Sequence, residues 1–195
     1  MYKTSVLALT VSPKADKIVL NNKEYEGKTY FAVNIPVGHY DLKVSKDGYK
    51  DWIMNLNAES ENLYDYKDVK LFLSNPEISE LTEQNKIDLV NSPESALVEN
   101  AENDLFSNAY EIWIDGKLVT RFSEPISGVK WYSDMEHVIF AKNNSVYIME
   151  STGFNCTELF QLENSTLGSR FVSGNRGRDI YFYNNDKYYR AKIRN

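Results

Sequence analysis

The chain has 195 residues, of which 42% are hydrophobic and 13% aromatic, and its formal net charge at pH 7 is −6. This length allows one or two domains with a substantial core, and the acidic balance excludes the positive electrostatic footprint of a nucleic-acid-binding protein. The single cysteine, Cys156, excludes an intrachain disulfide, and no apolar run approaches the ~20 residues of a membrane span.

Short aromatic and β-branched segments alternate with turn sequences along most of the chain. Asn21-Asn22, Asp115-Gly116, Asn143-Asn144 and residues 184–186 each separate two such segments. Two-residue turns with positive φ favour Asn, Asp and Gly, and they connect antiparallel strands. We therefore predict an all-β protein built from hairpins, a class that supplies scaffolds and binding surfaces more often than enzymes.

The first 75 residues contain closely spaced β segments in which apolar and polar side chains alternate. The predicted strands cover residues 5–11, 17–20, 29–35, 40–44, 49–56 and 69–73. Within the fifth of these, Tyr49, Trp52 and Met54 are the candidates for burial. The spacing of the strands predicts a small β-sandwich over residues 1–75.

This first segment carries a series of short motifs in a fixed order over about residues 4–75. The motifs are Pro13-Lys14-Ala15, Gly27-Lys28-Thr29, Pro36-Val37-Gly38-His39-Tyr40, Gly48-Tyr49 and Trp52. In order and spacing they resemble the PEGA domain, a β-sandwich module of bacterial and archaeal surface proteins. Two features depart from that pattern: the Glu-Gly of the eponymous motif is absent, and Tyr30 replaces a proline. The resemblance implies a cell-surface location, with a membrane anchor preceding residue 1 in the native protein.

A second pattern, a strand–turn–strand–hairpin cycle of roughly 40 residues, covers about residues 78–195. Its clearest copy is Trp131-Tyr132-Ser133-Asp134 followed by Val138-Ile139-Phe140. These residues resemble the blade turn of TolB-like and WD40-like β-propellers, with Ser133 in place of Pro and Met135 in place of Gly. The resemblance implies two to three antiparallel blades, an incomplete propeller. Because closed propellers typically have 4–8 blades, we expect open edges, which a homodimer could close by completing the β arc.

The segment 76–108 separates the sandwich from the clearer repeats at 109–195. Residues 76–111 hold 9 acidic residues and 1 basic residue, which is typical of a solvated connector. The run Ser92-Pro93-Glu94 fits a helix start, with Leu97 and Leu105 at helical spacing, but it also fits a degenerate blade turn followed by a strand. Two questions therefore remain open: whether a helix or a strand follows Ser92-Pro93-Glu94, and whether the segment is an acidic connector or a degenerate first blade.

The sequence predicts no enzyme, no metal site and no cofactor. His39 and His137 lie far apart in the chain and lack Cys or carboxylate neighbours at metal-ligand spacing. Cys156 has no histidine positioned to activate it, and no phosphate loop, nucleophile elbow or dinucleotide-binding glycine set is present. The residues therefore favour a binding role over catalysis.

Aromatic side chains of the second segment are the candidates for a binding surface, because aromatic residues dominate interface anchors. The predicted binding residues are Trp113, Trp131, Tyr132, Tyr188 and Tyr189, with Tyr110, Tyr147 and Phe182 as further members. At alternating spacing, the same residues also fit blade packing. We predict a non-enzymatic cell-surface or envelope scaffold or adhesion protein that binds a protein partner or a surface polymer. The alternatives are a periplasmic TolB-like adaptor and a polysaccharide-binding module.

Overall fold

The computed structural model of the protein describes residues 4–81, 105–162, 170–184 and 186–195. Strands dominate these residues, and one short 3₁₀ turn occurs at Asn175–Gly177. The all-β prediction is therefore confirmed. The chain divides into two compact units, Met1–Ser74 and Asn75–Asn195. Within the described ranges, no helix has the length and apolar character needed to cross a membrane.

From residue 4 onward, the first unit forms seven strands in two sheets. The strands are β1 (Thr4–Ser12), β2 (Lys17–Leu20), β3 (Lys23–Glu26), β4 (Tyr30–Pro36), β5 (Gly38–Ser45), β6 (Trp52–Ala58) and β7 (Leu63–Lys70). One sheet has the order β4-β1-β7, and the other has the order β3-β2-β5-β6. The second sheet is antiparallel throughout, whereas β1 pairs antiparallel with β4 and parallel with β7.

The core of the first unit follows from the two-residue period of its strands. Along β6, Trp52, Met54, Leu56 and Ala58 are buried, and the residues between them are exposed. Apolar side chains of both sheets form one cluster, as in a β-sandwich.

The last strand of the first unit differs from its prediction. The sequence places it at residues 69–73, but β7 spans Leu63–Lys70, and beyond it Leu73 forms a single bridge with Tyr49. Four of the eight residues of β7 are charged, and two of them, Lys67 and Asp68, are adjacent, so the sequence lacks a clear alternation of apolar and polar residues there. Tyr49, a candidate for burial, is half-buried, whereas Trp52 and Met54 are buried as predicted.

The described residues of the second unit form three separate sheets. Its strands are β8 (Glu77–Glu80), β9 (Leu105–Ser107), β10 (Glu111–Ile114), β11 (Lys117–Arg121), β12 (Ile126–Trp131), β13 (His137–Lys142), β14 (Ser145–Glu150), β15 (Thr157–Gln161), β16 (Arg170–Gly174), β17 (Asp179–Asn184) and β18 (Lys187–Lys192). The sheet orders are β11-β10-β9, β12-β13-β14-β15 and β16-β17-β18-β8. None of the three closes on itself. The all-β content agrees with the prediction, but these separate sheets do not show a propeller.

Two relationships between sequence-distant strands organise the second unit. The strand β8 pairs antiparallel with β18, so the first strand of the unit completes the sheet formed by its last strands. The first strands of the three hairpin arrays also lie side by side, with β12 contacting both β9 and β16.

Turn residues predicted from the sequence occupy the expected backbone conformation. Asp115 and Gly116 have φ of 50° and 70° between β10 and β11, and Asn143 has φ of 54° between β13 and β14. Asn21, with φ of 53°, makes the corresponding turn between β2 and β3. These three hairpin predictions are confirmed.

The acidic segment 76–108 contributes β8 and β9 to the second unit at its two ends. Ser92-Pro93-Glu94 and Leu97, on which the helix and strand alternatives depend, lie outside the described residues. Leu105, the last residue of the proposed helical spacing, is the first residue of β9 and is buried.

Candidate functional site

One face of the sheet β11-β10-β9 carries a row of large apolar side chains. The strand register places Trp113 opposite Phe106 on β9 and opposite Leu118 on β11. Directly opposite residues in antiparallel strands share a face, so the three side chains form one row across the sheet. Phe106 is 50% exposed, Leu118 is 43% exposed and Trp113 is half-buried. We call this row the Trp113 face.

A hydrogen-bond network fixes the Trp113 ring in this row. The indole N–H donates to Glu111 Oε2 over 3.1 Å, from two residues later on the same strand. Arg121 Nε donates to Glu111 Oε1 over 2.7 Å from the paired strand β11. Asn108 Nδ2 donates to Glu111 Oε2 over 2.7 Å. The indole N–H is therefore bonded to a carboxylate that Asn108 and Arg121 also contact.

The charge of Glu111 is stabilised by its partners. The hydrogen bond from Arg121, followed by those from Asn108 and Trp113, lowers the pKa of Glu111 below its ordinary value. The carboxylate therefore stays ionised at neutral pH and keeps accepting from all three side chains. The arrangement places an apolar row beside an ion pair between Glu111 and Arg121.

The other predicted tryptophan and its neighbour lie in the interior or close to it. Trp131 is half-buried and packs against the core that includes Ile112 and Phe140. Tyr132 is 1% exposed, and its hydroxyl donates to the carbonyl of Gly177. Burial raises the pKa of Tyr132. The structure thus removes Tyr132 from any exposed surface, because its ring fills the core and its polar atom is already bonded.

The last two predicted residues, Tyr188 and Tyr189, lie on opposite faces of β18. Tyr188 contacts Tyr183 on the neighbouring strand, with ring centroids 4.9 Å apart. Tyr189 stacks on Phe182 at 5.2 Å, and Phe182 is 1% exposed. The five predicted binding residues therefore do not form one surface. Of these five, Trp113 alone belongs to the exposed apolar row that we call the Trp113 face.

Asp134 and His137 close a turn in the second unit. The carboxylate of Asp134 accepts from the N–H groups of Glu136 and His137, and its other oxygen lies 2.8 Å from His137 Nδ1. These bonds close the turn in which Met135 has φ of 59°. Across the described part of the chain, no three His, Cys, Asp or Glu side chains are grouped to hold a metal ion.

Sequence reasoning missed Phe106, Glu111, Leu118 and Arg121. The pairing of Trp113 with Leu118 was available from the sequence, because a two-residue turn at Asp115-Gly116 fixes that register. The pairing of Phe106 with Trp113 could not be predicted in this way, because no recognised turn sequence precedes β10.

Comparison with known proteins gives one family match. Residues 4–68 match the model of the PEGA domain. None of the curated proteins matches the chain.

Two solved structures resemble the whole chain weakly. A DUF3823 family protein from Parabacteroides merdae shares 9% identity at a TM-score of 0.28, covering 99% of this chain and 98% of its own. A DUF3823 family protein from Bacteroides ovatus shares 9% identity at a TM-score of 0.26, covering 97% of this chain and 96% of its own. TM-scores this low establish neither a shared fold nor a shared function.

Proposed function

We propose that this protein is a non-enzymatic, extracytoplasmic scaffold or adhesion protein that binds a protein partner through the Trp113 face. The PEGA match over residues 4–68 supports the location, because this module is typical of surface proteins. The second unit supplies the binding surface. The observation that carries the proposal is the row of Phe106, Trp113 and Leu118, in which Glu111 accepts the indole N–H of Trp113.

The composition of the face favours a protein over a polysaccharide. Tryptophan and arginine are enriched among the residues that dominate protein interfaces. Here Trp113 and Arg121 both donate hydrogen bonds to the carboxylate of Glu111. A sugar-binding platform needs polar groups directed at the ligand, whereas the indole N–H and the Asn108 amide donate to Glu111. An aliphatic Leu118 at the end of the row also suits an apolar protein surface better than a sugar ring.

The arrangement of the second unit is proposed to be blade-like. Each hairpin array follows the chain order, and the first strands β9, β12 and β16 lie next to one another. The pairing of β8 with β18 joins the beginning of the unit to its end. Such a unit presents the outward faces of its sheets to partners, and the three-stranded sheet carries the Trp113 face.

Site-specific photo-crosslinking tests the proposal. A benzophenone amino acid is placed at Leu118, and a matched variant carries it at Ile53, which is 53% exposed in the first unit. Each variant is irradiated with an envelope extract of the source organism. We expect a crosslinked protein product of defined mass from position 118 that is absent from position 53. Substituting Phe106→Ser in the same protein should remove that product.

Other crosslinked products would identify a different molecule bound at the Trp113 face. A product near twice 22.5 kDa, formed by the purified protein, would identify a second copy as the partner, as in the predicted homodimer. A smear of undefined mass that a polysaccharide hydrolase removes would contradict a protein partner. The same products from both positions would contradict a specific face.

A further inference from the structure

A second candidate site lies within the second unit, apart from the residues of the Trp113 face. A pocket of about 360 Å³ opens between the end of β15 and the sheet β16-β17-β18-β8. Three sequence-distant parts of the chain line it with the residues Ile78, Glu80, Gln161, Leu162, Phe182, Asn184 and Tyr189. Its volume lies within the range of about 300–1,000 Å³ that is usual for small-molecule sites.

One wall of the pocket is aromatic and firmly packed. Phe182 and Tyr189 are cross-strand neighbours whose rings stack with centroids 5.2 Å apart and planes inclined by 18°. Phe182 is further packed against Phe160 at 5.2 Å and Phe171 at 6.4 Å. The wall is therefore held from behind, while the half-buried Tyr189 remains accessible from the pocket.

The polar side chains around this wall are either uncharged or paired with an opposite charge. Gln161 and Asn184 contribute carboxamides, each of which carries both donors and acceptors. The third polar group is Glu80, and Lys187 Nζ lies 2.9 Å from its carboxylate. Among the described residues that line the pocket, none is basic. A neutral ligand with many hydroxyl groups fits this lining better than an anion or a cation does.

We propose that this pocket binds a neutral saccharide unit. The C–H face of a pyranose ring lies against Tyr189, and its hydroxyl groups exchange hydrogen bonds with Gln161 and Asn184. This binding does not depend on the Trp113 face, since the two sets of residues do not overlap. It does depend on β8, because Ile78 and Glu80 line the pocket through the pairing of β8 with β18.

Saturation-transfer difference NMR on the full chain tests the proposal. The probes are four neutral trisaccharides: maltotriose, cellotriose, mannotriose and the trimer of N-acetylglucosamine. We expect at least one of them to receive saturation at its ring protons. Gln161→Ala should weaken that binding about fivefold, the loss expected for one neutral hydrogen bond. Gln161→Trp should abolish it by filling the pocket.

The controls separate this proposal from a general loss of structure. Gln161 is exposed, so its substitutions leave the core packing intact, and the amide NMR fingerprint verifies this for each variant. Phe106→Ser, which alters the Trp113 face, should leave saccharide binding unchanged. The proposal is overturned if none of the four trisaccharides receives saturation, or if Gln161→Trp binds as the unmodified protein does.

Discussion

Trp113 donates its indole N–H to the carboxylate of Glu111, which lies two residues earlier on the same face of β10. Arg121 holds that carboxylate from the paired strand over 2.7 Å. The orientation of the Trp113 ring therefore depends on an ion pair across the hairpin. This dependence makes the face sensitive to pH and to substitution of Arg121.

The pH dependence of the Trp113 indole is the first prediction. The pKa of Glu111 is lowered in the folded protein. The ionised Glu111 carboxylate therefore stabilises the fold fully above the ordinary carboxyl pKa, and this stabilisation is lost as the pH falls through the lowered pKa of the folded state. The indole N–H resonance of Trp113, identified as the peak missing in Trp113→Phe, should shift with an acid midpoint below about 4.3, the value of a free glutamate.

Two variants of the hairpin sharpen this prediction. Arg121→Met removes the largest cause of the lowered pKa, so the acid midpoint of the Trp113 resonance should rise. Lys117→Met removes a charge from the same strand at a position that pairs with Ile114, and it should leave the midpoint unchanged. An acid midpoint that does not respond to Arg121→Met would show that Glu111 does not control the ring.

Comparison of two glycines tests the packing of Tyr132. Gly116 and Gly177 have φ of 70° and 76°, so alanine is strained at both by about 1–2 kcal/mol. A methyl group at Gly116 meets open space, whereas one at Gly177 would overlap the hydroxyls of Tyr132 and Ser133. Urea unfolding should show Gly177→Ala to be less stable than Gly116→Ala by a further 1–3 kcal/mol, the usual cost of overpacking. Equal losses would mean that Tyr132 does not pack against Gly177.

The pairing of β8 with β18 gives an amide-specific prediction. Leu81 N–H donates to Tyr188 O, so by antiparallel alternation Ser79 forms the next hydrogen-bonded pair, with Arg190. Ser79→Pro should therefore speed hydrogen exchange at the amides of Tyr188 and Arg190, which face β8. The amides of Tyr189 and Ala191 face β17 and should stay protected.

Two results would bear on this strand directly. Ser79→Ala keeps the backbone donor and should exchange as the unmodified protein does. Unchanged exchange at Arg190 in Ser79→Pro would contradict the pairing. If the pairing holds, Ser79→Pro should also weaken saccharide binding, because β8 supplies part of the pocket.

Local chemistry made much of the fold predictable. The hairpins at Asn21-Asn22, Asp115-Gly116 and Asn143-Asn144 follow from residues that accept positive φ, and the burial of Trp52 follows from alternation along β6. The pairing of β8 with β18 could not be predicted, because more than 100 residues separate the strands and no local pattern encodes such a contact. The start of β7 was missed because its charged residues hide the alternation.

The candidate site was predicted only in part. Trp113 was selected because aromatic residues dominate interfaces, and its place in the row depends on a register that the turn at Asp115-Gly116 determines. Tyr132 was selected on the same grounds and proved buried, since composition alone does not tell which aromatic side chains point inward. The role of Glu111 needed three-dimensional information, because its partners Asn108 and Arg121 converge on it from different segments.

Hydrogen-exchange mass spectrometry of the protein with the partner captured at position 118 tests the central claim most directly. Binding at the Trp113 face should slow exchange in the segment Leu105–Arg121 and leave the strands of the first unit unchanged. Slowed exchange confined to the first unit, or no change in Leu105–Arg121, would contradict the assignment of this face as the binding surface.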